Sequence, residues 1–350
     1  MKKLVLDFTR EELEKEFSRR DMPRYRARQV FLGVMRKGIT VFKDIPGLPR
    51  KLADELEKEF TISPLKLVEK LASHQSGTEK FLWELQDGNL IETVFIGEAT
   101  RKTLCLSSQV GCKFGCPFCA SGKKGFIRDL TVAEMTGQLL AVQGIKKERL
   151  TNVVFMGMGE PLDNYDNVAK AIRIINHPDG ISLGARKITV STCGVVPGIM
   201  RLKSLGLQVE LSVSLHAASD KVRDELAPVN KKYPIKKLIN ACREYTEATR
   251  RVITLEYMLI KGKNDSTDDA KALGKIARSI KAKVNLIACN IIGGVDTVSI
   301  SRQEMNIFKN KAREQGVNVT VRESKGQDIF AACGQLAANV QSAERKEQSA

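Results

Sequence analysis

The sequence predicts an α/β fold: a partial or complete barrel of repeated βα units, preceded by a small helical segment and a β-hairpin. Three observations predict it. From Thr103 onward, short β-branched or apolar runs alternate with stretches of helical period, roughly thirty residues apart, which is the rhythm of βα units. The first residues carry helix-start signals and many basic side chains. Between these regions, an Asp87-Gly88 turn sits between two runs of strand formers.

In chain order, Thr9 to Arg20 (TREELEKEFSRR) opens with a capping-box pattern, Thr9 with Glu12 three residues on. Pro23 to Gly38 has near-helical apolar spacing and a terminal glycine, and a third helix from about Pro49 to Phe60 completes a small bundle. Phe81–Leu85 and Leu90–Ile96 form the hairpin. Barrel strands are expected at Leu104–Ser107, Asn152–Met156, Lys187–Ser191, Val209–Ser214, Val252–Leu259, Val284–Ile287 and Val317–Arg322. Helices between them centre near Glu134, Val168, Ile199, Leu238, Leu273 and Phe308, giving a (β/α)6-type barrel with a seventh strand. The expected divisions are 1–62 helical accessory domain, 63–97 hairpin connector, 98–341 barrel and 342–350 disordered tail.

Lys+Arg number 57 against 41 Asp+Glu, an excess of 16 that points to a polyanionic partner, most often nucleic acid. The basic pairs are scattered, and for any one of them a solvated surface is the commoner explanation than a contact. No apolar run approaches the ~18 residues of a membrane span, and Met1-Lys-Lys-Leu-Val-Leu-Asp does not resemble a signal peptide, so a cytoplasmic protein is expected. Eight cysteines in 350 residues are too sparse for a disulfide scaffold, and those that cluster suit metal ligation or redox chemistry.

Three of them cluster. Cys112, Cys116 and Cys119 form CxxxCxxC just after the first barrel strand, where barrel chemistry sits. A structural zinc wants four protein ligands, and no second pair follows, although a distant Cys or His would complete such a site. A four-iron cluster takes one thiolate per iron, so three cysteines leave one iron open to a small molecule. Gly157-Met-Gly-Glu-Pro-Leu162 follows the second strand; its glycines allow close backbone approach, and Glu160 can accept a hydrogen bond from an ammonium group. Ser191, Ser214-Leu215-His216 and Asn290 end the third, fourth and sixth strands. Singly each is an ordinary strand-end cap; together they converge on one barrel mouth.

GCKFGCPFCASG, FMGMGEPL, STCG, SLHA and Asp328-Ile-Phe-Ala-Ala-Cys-Gly-Gln-Leu336 together resemble the RlmN/Cfr family of radical S-adenosylmethionine RNA methyltransferases, from about Glu92 to Leu336. The resemblance implies a radical S-adenosylmethionine barrel with an RNA-binding helical accessory domain. It implies that Cys112, Cys116 and Cys119 hold one 4Fe-4S cluster, and that Gly159, Glu160, Ser191, Ser214, Leu215, His216 and Asn290 bind S-adenosylmethionine. Cys333 matches the cysteine that is itself methylated, Cys105 its partner thiol, and Glu92 an acidic proton acceptor near the target adenine. Two S-adenosylmethionine molecules would be used per turnover: one methylates Cys333, and the second yields a radical that abstracts hydrogen from that methyl group. Cys105 then resolves the protein–RNA adduct, leaving a Cys105–Cys333 disulfide to be reduced.

The implied partners are 23S ribosomal RNA, some transfer RNAs and an electron donor such as flavodoxin or ferredoxin. Proline in GEPL and Lys231-Lys232-Tyr233 after Pro228-Val-Asn230 look more like the carbon 2 enzymes than the carbon 8, antibiotic-resistance type. Two departures stand out: Phe330 replaces a usual acidic residue, and Ile291-Ile-Gly-Gly294 follows Asn290 in place of a proline turn. A non-catalytic iron–sulfur RNA-binding protein would share the charge and the helices, but has no need of Cys105, Cys333 or the Glu160 loop.

Overall fold

A computed structural model describes residues 2–290 and 300–338. The Ile291–Gly294 departure and the expected tail at 342–350 lie outside the described residues.

The helical segment begins as expected. Helix α1 (Arg10–Ser18) is capped reciprocally: Glu12 N–H donates to Thr9 Oγ1 at 3.2 Å, and Thr9 N–H to Glu12 Oε2 at 2.8 Å. Helix α2 (Arg24–Phe31) runs into a π-helical turn, Leu32–Arg36, and α3 (Arg50–Glu59) follows. A short parallel pair, β1 (Lys3–Leu4) and β2 (Phe60–Thr61), ties the two ends of the segment together. Phe17, fully buried, packs against Phe60 with ring centroids 6.4 Å apart, and burying each such side chain is worth about 1.5–3 kcal/mol.

Next come β3 (Leu65–Ala72), β4 (Thr78–Leu85), β5 (Leu90–Gly97), β6 (Lys102–Cys105), then β7 (Gln109–Gly111), the short helix α4 (Ala120–Lys124) and β8 (Phe126–Asp129). Beyond them β9 (Asn152–Phe155), β10 (Ile188–Thr192), β11 (Glu210–Ser214), β12 (Thr254–Leu259), β13 (Lys283–Ala288) and β14 (Val319–Arg322) alternate with helices. These are α5 (Val132–Lys146), α6 (Tyr165–Asn176), α7 (Val196–Lys203), α8 (Asp220–Leu226), α9 (Ile235–Thr249), α10 (Thr267–Ser279) and α11 (Arg302–Arg313).

One sheet runs β14-β13-β12-β11-β10-β9-β6-β5-β4-β3. From β6 to β14 neighbours are parallel and follow chain order, which is the topology of an open barrel and not of a doubly wound sheet. Side chains from every strand of this sheet between β5 and β14 line one cavity, so the sheet curves around an interior.

The connector differs from a simple hairpin. β4 and β5 pair as expected, but β3 adds an outer antiparallel strand, and β5 pairs antiparallel with β6, so the hairpin continues the barrel sheet. The reason β3 escapes a pattern search is physical: it is an edge strand whose Leu67 and Val68 are exposed and whose pairing breaks at Leu67/Glu69. The N-terminal segment is also not separate. Val5 and Leu6 are buried; Asp7 Oδ1 accepts from Ala133 N–H at 2.8 Å, at the start of α5. On the same flank, Arg10 and Arg28 both pair with Asp179.

Candidate active site

The cysteine loop connects β7 to β8, which pair antiparallel. Its base is held by Cys112 N–H donating to the Gly125 carbonyl at 3.0 Å. Gly111 has φ +75°, and a Cβ there would stand 1.7 Å from that same carbonyl oxygen. Gly111→Ala should therefore displace the loop and lower the iron retained after anaerobic reconstitution several-fold, measured by iron content and visible absorption. Full retention would show that the loop tolerates another path.

Burial pushes the Cys112 thiol up to about 12 and raises Cys116 and Cys119 as well, and Cys119 adds to the rise at both other thiols. Thiols so placed cost less as metal-bound thiolates than as free anions. Among the described residues no three Cys, His, Asp or Glu side chains are arranged around a single metal ion. A four-iron cluster does not require that, because each thiolate meets its own iron. The surroundings fit an anionic group. Arg223 is fully buried, forms no ion pair among the described residues and stands electrostatically opposite Cys116. Phe118, Leu226, Met258 and Ile260 pack with Cys116 and Cys119 into a dry wall.

The strand-end residues converge as expected, but several do something different from simple ligand contact. Glu160 is buried, which raises its pKa; Oε2 accepts from Cys193 N–H at 2.7 Å and Oε1 from Leu162 N–H at 3.0 Å. It thereby joins the loops after β9 and β10. Gly159, at φ +92°, lies so close to Gln109 that an added Cβ would meet that residue's Cβ at 2.4 Å. Ser191 and Ser214 are partly accessible at the ends of β10 and β11.

Leu215 is buried, its N–H donating to the Glu256 carbonyl at 3.0 Å. His216 is a strut. Burial drives its pKa down to about 3, its Nδ1 accepts from Met258 N–H at 3.1 Å, and its ring meets Phe118 edge-on at 5.0 Å. The backbone here is engaged too: the Leu215 carbonyl accepts from Arg223 Nε at 3.0 Å and the His216 carbonyl from Asn264 Nδ2 at 2.7 Å.

Cys333 sits on a segment strapped across the barrel opening. Asn290 Nδ2 donates to the Cys333 carbonyl at 2.9 Å, and Ala120 N–H to the Gly334 carbonyl at 2.7 Å, which sets Cys333 beside the cysteine loop. Asp328 receives Ser73 Oγ at 2.9 Å and His74 N–H at 3.1 Å, while Lys325 pairs with Glu98, so the strap joins the end of β14 to the β4–β5 side. Cys105, Cys119 and Cys333 line one cavity of about 830 Å³. Cys105 and Cys333 are both free thiols. Burial pushes Cys105 up to about 12, the Cys333 thiol adding to the rise and Arg322 opposing it.

Glu92 is placed elsewhere. It does not line that cavity. Its Oε1 pairs with Lys80 at 2.8 Å, both side chains almost fully buried, and its Oε2 accepts from Ala337 and Ala338 N–H at 2.8 and 2.9 Å. In this conformation both oxygens are committed, and the carboxylate clamps the far end of the Cys333 strap.

Sequence reasoning passed over two residues. Arg223, in α8, donates to the carbonyls of Leu215 at 3.0 Å and Cys193 at 2.5 Å and to Asn230 Oδ1 at 2.9 Å, fastening the loops after β10 and β11. Lys80 sits on an inward position of β4 between Glu79 and Phe81. Lys80 alternates with Thr78, Leu82 and Glu84, a mixed face that gives no local signal of burial, while Phe81, Trp83 and Leu85 lie on the other.

Comparison with known proteins agrees with this geometry. Residues 106–273 match the family model described as the Radical SAM superfamily. The "Probable dual-specificity RNA methyltransferase RlmN" of Thermotoga neapolitana is 44% identical over 335 residues, covering 95% of this chain and 97% of that protein. The protein of the same name from Clostridium botulinum is 43% identical over 334 residues, 95% and 96% of the two chains. Among solved structures, a radical SAM methyltransferase from Sphaerobacter thermophilus aligns with a TM-score of 0.93 at 42% identity, covering 96% of this chain and all of that one. With its open barrel, cysteine loop and GEP turn matched over nearly the whole length, the chain belongs to the RlmN family of radical S-adenosylmethionine methyltransferases.

Proposed function

We propose that this protein methylates carbon 2 of an adenosine in 23S ribosomal RNA, and of adenosine 37 in some transfer RNAs, with Cys333 as the carrier of the transferred carbon. The observation that carries this reading is that Cys105 and Cys333, both free, line the same cavity beside Cys119. The names of the relatives, dual-specificity RNA methyltransferases, support the substrate class.

Cys112, Cys116 and Cys119 would hold the 4Fe-4S cluster, and the loops bearing Gly159, Glu160, Ser191, Ser214 to His216 and Asn290 would hold S-adenosylmethionine. Bound there, the two would supply a methyl group and, on reduction, a carbon radical, at two S-adenosylmethionine per methylation. Such chemistry is needed because the ring carbons of adenine are electron-poor and do not attack a sulfonium methyl group as an amine does. Cys333 Sγ bears the carbon as a thioether. After the carbon joins the base, the adduct gives up one electron and the carbon 2 proton; Cys105, as thiolate, then attacks the Cys333 sulfur, the sulfur–carbon electron pair goes to the base, whose new carbon takes a proton to become methyl, and the two cysteines are left as a disulfide. An external two-electron reductant restores both thiols.

Residues 1–62 are proposed as an RNA-binding element on the barrel of 98–341, with 63–97 joining them, and a flavodoxin or ferredoxin as electron donor in the cytoplasm. Truncation is a poor test of the first of these, since Val5 to Asp7 pack beneath α5. Arg24→Ala combined with Tyr25→Ala, both exposed on α2, should instead weaken RNA binding and leave iron content unchanged. The slope of log affinity against log salt should flatten by about 0.7 for each phosphate that the variant no longer neutralises, as measured by salt titration. Nucleoside analysis of ribosomal and transfer RNA after reaction tests the function itself. 2-Methyladenosine is the expected product; 8-methyladenosine would reassign the carbon, and no methylated adenosine would overturn the reading.

A further inference from the structure

The interior of an α/β barrel is ordinarily filled by layers of Val, Ile and Leu. Here much of it is polar and open. The cavity of about 830 Å³ reaches from Cys105 and Cys333 down past Glu256, Asn285 and Arg322, within the range of about 300–1,000 Å³ usual for small-molecule sites. None of the candidate S-adenosylmethionine positions, from Gly159 to Asn290, lines it.

Two side chains in this chamber have unmet demands. Glu256, on β12, is 95% buried; Oε1 accepts from Asn285 Nδ2 at 3.2 Å, the Ser212 hydroxyl lies near enough to favour the charged form, and Oε2 has no partner in hydrogen-bonding geometry. A carboxylate oxygen left without a hydrogen bond in a buried site keeps an unrepaid desolvation cost, so its retention calls for a ligand that satisfies it. Arg322, on β14, forms no ion pair among the described residues; its guanidinium donates to Met156 Sδ at 3.9 Å. Strand register places Glu256 opposite Asn285 and Arg322 opposite Ile287, so Arg322 lies two residues nearer the Asn290 end of β13, where the Cys333 segment is held, and Cys333 is the group that raises its pKa most.

That order matches one edge of a purine. Cys333 Sγ carries the carbon to the ring and Cys105 must reach that sulfur, so carbon 2 lies at the thiol end of the chamber. Along the Watson–Crick edge of adenine, carbon 2 is followed by N1, an acceptor, and then by the 6-amino group, a donor. Along the chamber the thiols are followed by Arg322, a donor, and then by Glu256, an acceptor. We propose that Glu256 and Arg322 form the base-reading floor of the site, Glu256 accepting from the 6-amino group of an extruded adenine and Arg322 donating to its N1. The inference rests on the reading of this protein as an adenine methyltransferase and adds to it the residues that select the base. An amino group satisfies the orphaned oxygen, whereas the O6 of guanine or inosine would oppose it, and a buried mismatch of this kind discriminates strongly. The guanidinium at N1 also draws electron density from the neighbouring carbon 2.

The test uses holoenzyme and two RNAs, one with adenosine and one with purine riboside, which lacks only the 6-amino group, at the target position. Wild-type protein should methylate the adenosine RNA at least tenfold faster. Glu256→Met, which removes the acceptor at similar size, should bring that ratio close to one while iron content and Cys333 methylation, read by mass spectrometry without RNA, stay normal. Arg322→Met should lower use of both RNAs alike, since both retain N1. An unchanged ratio in Glu256→Met would overturn the proposal, and so would loss of Cys333 methylation, which would make the carboxyl structural. Absence of RNA methylation by wild-type protein, with Cys333 methylated, would instead count against the functional reading beneath it.

Discussion

Cys105→Ala protein is expected to become methylated at Cys333 and then to accumulate a covalent adduct with its RNA, with turnover falling below detection. The physical reason is the division of labour between two thiols in one cavity. Cys333 lies on the strap beside the cysteine loop, held there through Gly334 and Asn290, so its methylation does not involve Cys105. Release does, because breaking the sulfur–carbon bond requires a second sulfur to take the Cys333 sulfur in exchange. Cys333→Ala should form neither the thioether nor the adduct. Denaturing electrophoresis of labelled RNA and intact-protein mass spectrometry separate the cases. Full activity of Cys105→Ala without an adduct would contradict the assignment of Cys105.

Lys80→Met is expected to lower the melting temperature by on the order of 10 °C and to release the Cys333 strap. Removing one partner of a buried ion pair leaves the other charge uncompensated, at about 3–5 kcal/mol. Glu92 would then hold only the Ala337 and Ala338 amides. The milder Glu92→Gln keeps an acceptor oxygen for those amides but loses the charge opposite Lys80. If Glu92 acts as a clamp, methylation of Cys333 should fall in Glu92→Gln protein before any RNA is added. Normal Cys333 methylation followed by a stalled RNA adduct would restore the proton-acceptor role that the family resemblance implies.

The elements that were legible in sequence are those whose signals are local. The Thr9–Glu12 capping box, the Asp87-Gly88 turn and the 104–322 alternation of strand and helix all depend on neighbours a few residues away, and each stands where its residues place it. The CxxxCxxC loop is also local, since its three thiols fall within one short stretch of chain that ends with Cys119 as the N-cap of α4. Edge strand β3 was not legible, because nothing in Leu65–Ala72 is buried strongly enough to impose a period of two.

What the sequence determined by itself, then, is the kind of chemistry: three clustered thiols, a GEP turn after a strand, and two further cysteines in recognisable surroundings. Only the tertiary structure decided which side chains are free to act. Glu92 is acidic and well placed in the chain, yet long-range pairing with Lys80 and Ala337 occupies both its oxygens. His216 ends a barrel strand, yet burial and Met258 hold it neutral as a strut. Glu256 has no motif around it, but closure of the barrel leaves it buried, unsatisfied and facing the same cavity as both thiols. Motifs arise from residues close in sequence, whereas desolvation and hydrogen-bond satisfaction depend on which distant strands close around a group, and those two quantities set whether a polar side chain supports the fold or meets a ligand.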